Sequence, residues 1–300
     1  MLSLALAAAC STWNPQVFDA IKNTDPSQGR LTRAYAAKSD ITIIPMKYYG
    51  GVDGNTDGVI DNSDIAAFEE WVTANVAEDY DGPAVMDYEN PWWKDLRSGT
   101  ITQQELDPIL DIYNKGLRIA EGYRPKAQWG YFGIPTRRAA GKNWQERGVT
   151  MQRLVNQSNG LFPSVYDCSR GTDDRRRVEH HVSRALEMAR GRVAVYVFVS
   201  PRYCGEEGDR TLFVPDEDFM EQADAAMRAS WTDELGVTHR VAGLVLWDAY
   251  GFTPREEWND LDALHVQYLT MLKDLVDAHR IANEPVSPVP VPNAADGEET

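Results

Sequence analysis

The chain has 300 residues, enough for one large domain or at most two small ones. Its 43% hydrophobic and 25% charged residues exclude disorder of the whole chain, collagen-like repeats and disulfide-rich scaffolds. The formal net charge of −16 repels a phosphate backbone and argues against nucleic acid as a partner, and no apolar run of about 18 residues is present to span a membrane.

Residues 1–9 are apolar and small and precede Cys10. Two readings of them stand. They are either the remnant of a secretory signal, with Cys10 as a lipoprotein-type cleavage site and lipid anchor, or a buried first strand continuing into Ser11, Thr12, Trp13 and Asn14. Further along, β-branched and apolar runs predict strands over 41–47, 84–87, 127–132, 161–166, 193–199 and 241–247. Between them, helical periodicity covers 65–76, 104–121, 144–155, 176–190, 217–230 and 261–279. From residue 285 the chain is Pro-rich and then acidic, the composition of an extended, disordered tail.

Strands alternating with helices imply right-handed βαβ units and a parallel sheet. About seven units without a long polar linker predict one α/β domain over 1–284, a TIM-like (β/α) barrel, with the tail at 285–300. An open doubly wound sheet is the alternative, but it needs a Gly-rich phosphate loop after an early strand, and the sequence has none.

Barrel chemistry sits at the C-terminal ends of strands, so the residues after each run are the candidates. They include Tyr48, then Asp87, Tyr88 and Glu89, then 133–138, Tyr166, Arg202, Tyr203, Trp247 and Asp248. Nine Trp and thirteen Tyr exceed what a core requires and suit the holding of sugar rings. No Ser/His pair, zinc-type Cys/His spacing or histidine cluster accompanies them.

Asp87 and Glu89 are two apart at a strand end, so both side chains point to one side. In a partly desolvated cleft the two cannot both be comfortably ionised, and one should hold a proton near neutral pH. A carboxylic acid beside a carboxylate, followed by Trp92 and Trp93, is the equipment of glycosidic bond cleavage.

The stretch around 81–89, ending in Met86, Asp87, Tyr88 and Glu89, resembles the strand that carries the catalytic pair in the hyaluronidase family of glycoside hydrolases. The resemblance recurs in order. Trp13-Asn14 is similar to the Trp-Asn ending that family's first strand. Gly50-Gly51-Val52, Arg124-Pro125 with Trp129-Gly130-Tyr131-Phe132, Leu161 to Tyr166, Tyr196 to Tyr203, and Val245-Leu246-Trp247 resemble its other strands and loops. It implies a distorted barrel and hydrolysis of an N-acetylhexosamine polysaccharide, of the hyaluronan or chondroitin kind, by a retaining, substrate-assisted mechanism. Glu89 would be the acid and then base, with Asp87 orienting the acetamido group. Tyr48, Tyr131, Tyr166, Tyr203, Trp247 and Asp248 would contact substrate. A polyanionic substrate needs local cations, which Arg137, Arg138, Arg170 and Arg202 are placed to supply. Two alternatives remain: a barrel that has lost turnover and binds glycans, and a glycosidase for another N-acetylhexosamine polymer such as cell-wall glycan. The implied location is extracytoplasmic or secreted.

Residues 53–64 read as a twelve-residue calcium loop, resembling locally those of EF-hand and dockerin modules. Oxygens of Asp53, Asn55, Asp57, Asp61 and Asp64 and the carbonyl of Val59 fall at the ligand positions, with Gly58 at the turn. The expected ion is structural. Finally, Cys168 and Cys204 follow strands expected to be neighbours, so an oxidising compartment would allow a disulfide between them.

Overall fold

The computed structural model describes residues 13–168, 175–204 and 209–283. Residues 1–12, with Cys10 and the expected strand, residue Arg170 and the tail lie outside the described residues. In chain order come β1 (Gln16–Asp19), α1 (Arg30–Lys38), β2 (Thr42–Ile43), β3 (Met46–Lys47), α2 (Asn62–Asn75), β4 (Pro83–Met86), α3 (Trp93–Leu96) and α4 (Gln103–Tyr123). They are followed by β5 (Gln128–Tyr131), α5 (Lys142–Glu146), α6 (Gln152–Gln157), β6 (Gly160–Leu161), α7 (Arg175–Ala189) and β7 (Ala194–Val199). The last elements are α8 (Asp216–Arg228), β8 (Ser230–Thr232), β9 (Thr238–Arg240), β10 (Gly243–Leu246) and α9 (Trp258–Ala282).

All the strands except the β8–β9 hairpin run parallel and close on themselves. β1 lies between β2 and β10, β10 beside β7, and β7 beside β6. On the other side β3, β4 and β5 are neighbours, and β5 reaches β6 through the Phe132–Phe162 bridge. β2 and β3 share one position in the ring. Ile44 N donates to Asp19 O on one side, while Pro45 O accepts from Val85 N on the other. Pro45 has no N–H to continue a ladder, which is why the expected single strand over 41–47 breaks in two. The result is a distorted (β/α) barrel of seven strand positions.

Period-two alternation sorts the side chains. Phe18, Ile44, Met46, Val85, Phe162, Tyr196, Phe198 and Val245 fill the barrel. Their neighbours, among them Val17, Met86, Trp129, Tyr131, Val197 and Leu246, face the helices. The lumen is tight at its lower end. A Cβ on Gly130 would stand 2.1 Å from Gly160 O, and one on Gly243 would stand 2.0 Å from Gln16 O.

The structure changes three sequence expectations. Trp13 and Asn14 precede β1 rather than end it. Trp13 Nε1 donates to Val241 O at 2.8 Å, below the start of β10, so the pair belongs to the floor of the barrel. The helix expected over 144–155 is two short helices, because Gly148 between them has φ +67°. Helix α1 and the β8–β9 hairpin were not expected. α1 buries only Thr32 and Ala36, and its first N–H groups are capped from far away. Leu31 N and Thr32 N donate to the carboxylate of Asp262 on α9, at 2.8 and 3.0 Å. Among the described residues no helix is long and apolar enough to cross a membrane.

Gly130→Ala should lower the unfolding free energy by about 1–3 kcal/mol, the usual consequence of forcing atoms into a packed interior. Gly122→Ala, on the exposed side of α4 with open space around it, should raise it by about 0.5–1 kcal/mol. Urea unfolding of the two variants checks both signs. A Gly130→Ala protein as stable as wild type would mean that β5 and β6 can part to admit a side chain.

Candidate active site

A cleft of about 1260 Å³ opens where the barrel strands end. Its centre is the end of β4. Val85 points into the barrel, so Asp87 and Glu89 continue on that side, while Met86 and Tyr88 turn to the helical layer. Backbone bonds hold the first acid in place: Asp87 N donates to Lys47 O and Gly50 N to Asp87 O, both at 2.9 Å.

Aromatic rings form the walls around the two acids. Tyr166 stacks on Trp247 with centroids 5.6 Å apart and planes 17° apart, and leans on Phe132 at 5.8 Å. Tyr48 donates its hydroxyl to Ala20 O at 3.0 Å. Among the described cleft-lining residues, the buried polar atoms without a partner are Asp87 Oδ1, Tyr166 OH and both ring nitrogens of His181. An unpartnered group in an enclosed site is unfavourable unless something else comes to satisfy it.

Burial pushes the Asp87 carboxyl up to about 7, the Glu89 charge adds to the rise, and Lys22 opposes it. Burial also raises Glu89, against the pull of Arg210 and Arg97. Near neutral pH Asp87 is therefore close to its midpoint of protonation, and it is the more perturbed of the two carboxyls. Tyr166 is raised by burial and by both carboxylates, so its hydroxyl stays a donor.

Comparison with known proteins bears on the fold. No protein-family model matches the chain. A segment of 67 residues is 34% identical to hyaluronidase conohyal-P1 of Conus purpurascens, covering 22% of this chain and 15% of that protein. The crystal structure of bee venom hyaluronidase aligns with a TM-score of 0.57 at 18% identity, over 89% of this chain and 99% of the other. The complex of bee venom hyaluronidase with a hyaluronic acid tetramer gives 0.59 at 16% identity, over 89% and 99%. The fold is hyaluronidase-like.

Tyr48, Tyr166, Tyr203 and Trp247 line the cleft with Asp87 and Glu89, and so do Arg137, Arg138 and Arg202. Two candidates do not. Tyr131 is one residue out of phase: it points to the helical layer, donates to Tyr113 O at 2.9 Å, and leaves Phe132 to face the cleft. Asp248 is fully buried behind the wall. Its Oδ1 takes Arg202 Nε at 2.6 Å and Ala249 N at 2.7 Å, and its Oδ2 faces His265 Nε2 at 2.8 Å. This network anchors the loop after β7 to α9 and leaves no carboxylate oxygen for substrate.

Lys22, Arg97, Arg177 and Arg210 line the cleft and escaped the sequence reading. Lys22 follows β1, and no strand was expected over 16–19. The arginines lie in loops and at a helix start, away from the strand ends that were searched. Cys168 and Cys204 are bonded with Cα atoms 4.6 Å apart, tying the loops that carry Tyr166 and Tyr203.

The 53–64 loop reaches the cleft through Gly54 and Thr56, and its polar groups largely satisfy one another. Asp61 Oδ1 caps α2 through Ser63 N and Asp64 N. Asp64 accepts from Gly54 N and Asp61 N, one on each oxygen, and Asp57 Oδ1 accepts from Val59 N. Asn55 Oδ1 accepts from Asp57 N. Asp53 Oδ2 takes Gly58 N, and its Oδ1 is buried without a partner. Among the described residues no group of three or more His, Cys, Asp or Glu side chains converges as metal ligands would.

A carboxyl that binds its proton more tightly when folded stabilises the fold at low pH, and that contribution disappears as pH rises toward the folded value of about 7. Asp87→Asn removes the titration. Its melting temperature should exceed that of wild type at pH 8 by more than it does at pH 4.5. Parallel curves at the two pH values would mean Asp87 ionises as freely in the folded protein as in the unfolded one.

Proposed function

We propose that this chain is a retaining glycoside hydrolase that cleaves an anionic, N-acetylhexosamine-containing polysaccharide with the help of the substrate's own acetamido group. The observation that carries the reading is the make-up of the cleft. Asp87 and Glu89 are the acidic side chains among its described lining residues, set between aromatic rings and ringed by Lys22, Arg97, Arg137, Arg138, Arg177 and Arg210. On a chain of net charge −16, that concentration of cations suits a polyanion of the hyaluronan or chondroitin kind.

In the proposed reaction the sugar lies against Trp247 with its acetamido group between Asp87 and Tyr166. The acetamido N–H donates to Asp87 Oδ1, and Tyr166 OH donates to the acetamido oxygen, so both unpartnered atoms gain a bond. An N–H on Asp87 favours its ionised form, which moves the shared proton to Glu89. Glu89 then protonates the glycosidic oxygen while the acetamido oxygen attacks the anomeric carbon and the bond to the leaving sugar breaks. The ring intermediate is cationic, and the Asp87 carboxylate beside its N–H offsets that charge. Glu89, now ionised, takes a proton from water, which attacks the anomeric carbon on the face the leaving sugar vacated, breaks its bond to the acetamido oxygen and so retains the configuration. Tyr203 completes the wall, and the Cys168–Cys204 bridge across it supports an oxidising, extracytoplasmic setting.

Glu89→Gln should lose at least a hundredfold in kcat, measured as reducing-end release, while still binding the polysaccharide. Hyaluronan or chondroitin turnover should fall as salt screens the arginines, and a thiazoline analogue of the acetamido sugar should inhibit. Residual activity of Glu89→Gln within tenfold of wild type would remove Glu89 from the mechanism. Binding without turnover by the wild-type chain across a polysaccharide panel would point instead to a glycan-binding barrel.

The reading also includes a structural calcium ion on the 53–64 loop, supported by the unpartnered, fully buried Oδ1 of Asp53. Asp57, Asp61, Asn55 and the Val59 carbonyl would add oxygens, with Asp64 contributing only by giving up a backbone bond. Saturating calcium should then raise the melting temperature by mass action, magnesium should raise it less, and Asp57→Ala should erase the effect. No calcium uptake by calorimetry, with the melting temperature unchanged by chelation, would leave the loop as an acidic helix cap.

A further inference from the structure

Between Asp87 and Glu89 stands Tyr88, pointing away from the cleft and 3% exposed. Its hydroxyl donates to Asp53 Oδ2 at 2.5 Å and accepts from Trp92 Nε1 at 3.2 Å. Its carbonyl accepts from Tyr113 OH at 2.5 Å, and its ring packs on that of Tyr113 with centroids 4.9 Å apart. Asp53 is fully buried, and among the described residues no cation pairs with it. Its other bond, from Gly58 N at 2.8 Å, belongs to its own loop.

We propose that Tyr88 is a positioning residue: its bond to Asp53 ties the 53–64 loop to the catalytic strand and sets the directions of Asp87 and Glu89. The inference rests on the glycosidase reading for what those two carboxyls do. It goes beyond that reading by giving the acidic loop a part in the site. The backbone of Asp87 still bonds Lys47 O and Gly50 N, whereas Tyr88, between the two acids, is held in another way. β4 ends at Met86, and the contacts that follow for Tyr88 are side-chain bonds on both its hydroxyl and its carbonyl. In a pleated segment, fixing the middle residue at two points fixes the Cα–Cβ directions of both its neighbours.

Stability alone does not account for this arrangement. A calcium ion on Asp53 Oδ1 would account for the buried carboxylate but not for the phenol on its other oxygen. Phe at 88 would pack the same space and leave Oδ1 to the ion. What the polar pair adds is a fixed distance between the loop and the strand.

The test compares Tyr88→Phe and Asp53→Asn with wild type in one calcium-containing buffer. Tyr88→Phe keeps the ring and loses the hydroxyl. It should lower kcat at least tenfold with KM within about twofold, and amide exchange over residues 86–93 should speed up. Asp53→Asn keeps an acceptor for the hydroxyl, so it should stay closer to wild type in both measurements. A merely structural role would lower the melting temperature of Tyr88→Phe but leave kcat and the 86–93 exchange unchanged, and that result would overturn the proposal. If the wild-type chain turns over no polysaccharide, the glycosidase reading fails by itself. The exchange measurement then decides the tie: faster exchange in Tyr88→Phe upholds it and unchanged exchange removes it.

Discussion

An ionised carboxylate inside a protein has to be met by donors or a cation, or else it takes up a proton. This chain faces that constraint repeatedly, and its answers define the site. Asp248 is met in full, by Arg202, the Ala249 N–H and His265. Asp53 is met by a backbone N–H and a phenol. Asp19, buried beneath the mouth of the barrel with one N–H from Ile21, is raised to about 6 by that burial. Asp87 has an oxygen left with nothing. Asp248 and Asp53 fix loops in place. Asp53 also keeps one oxygen without a partner, but it does not line the cleft, so what sets Asp87 apart is that its unmet oxygen belongs to a cleft-lining side chain.

The same constraint explains why the chain's net charge misdescribes its cleft. Residues on a solvated surface carry negative charge without difficulty, and most of the acids are there. Inside the cleft, Asp87 and Glu89 already strain the local electrostatics, and further acids would drive both to full protonation. The cations have the opposite effect, since Lys22 pulls Asp87 down while Arg97 and Arg210 pull Glu89 down. They therefore offset part of the rise that burial imposes on both carboxyls. Their arrangement tunes the two carboxyls as well as making the cleft locally positive.

Local pattern in the sequence was enough to find what depends on it. The alternation of apolar runs with helical segments led to the barrel, and two acids at i and i+2 after Ala84-Val85-Met86 had to share a face. Distant partners and single-residue phase left no such trace. Helix α1 takes its N-terminal cap from Asp262, more than two hundred residues away, so no local capping residue announces it. Tyr131 and Phe132 are adjacent aromatics, and only the register of β5 against β4 decides which one faces inward. Asp248 follows the last strand like a site residue, but its role depends on Arg202 and His265, which come from other parts of the chain. Lys22 was missed because no strand was expected over 16–19, which shows how a missing element becomes a gap in a site.

Catalysis by charge placement needs groups that stay where they are while the substrate's charge changes. Each part of the cleft wall is held by a different kind of bond. The disulfide joins the loops of Tyr166 and Tyr203, the Arg202–Asp248–His265 network pins the loop after β7 to α9, and the Tyr88–Asp53 bond backs the two acids. The strands could not supply that rigidity by themselves, since β2, β3 and β6 are two residues long in this distorted barrel. Short strands leave long loops at the mouth, and the cross-links compensate at the places where Asp87, Glu89, Tyr166 and Tyr203 must keep their distances.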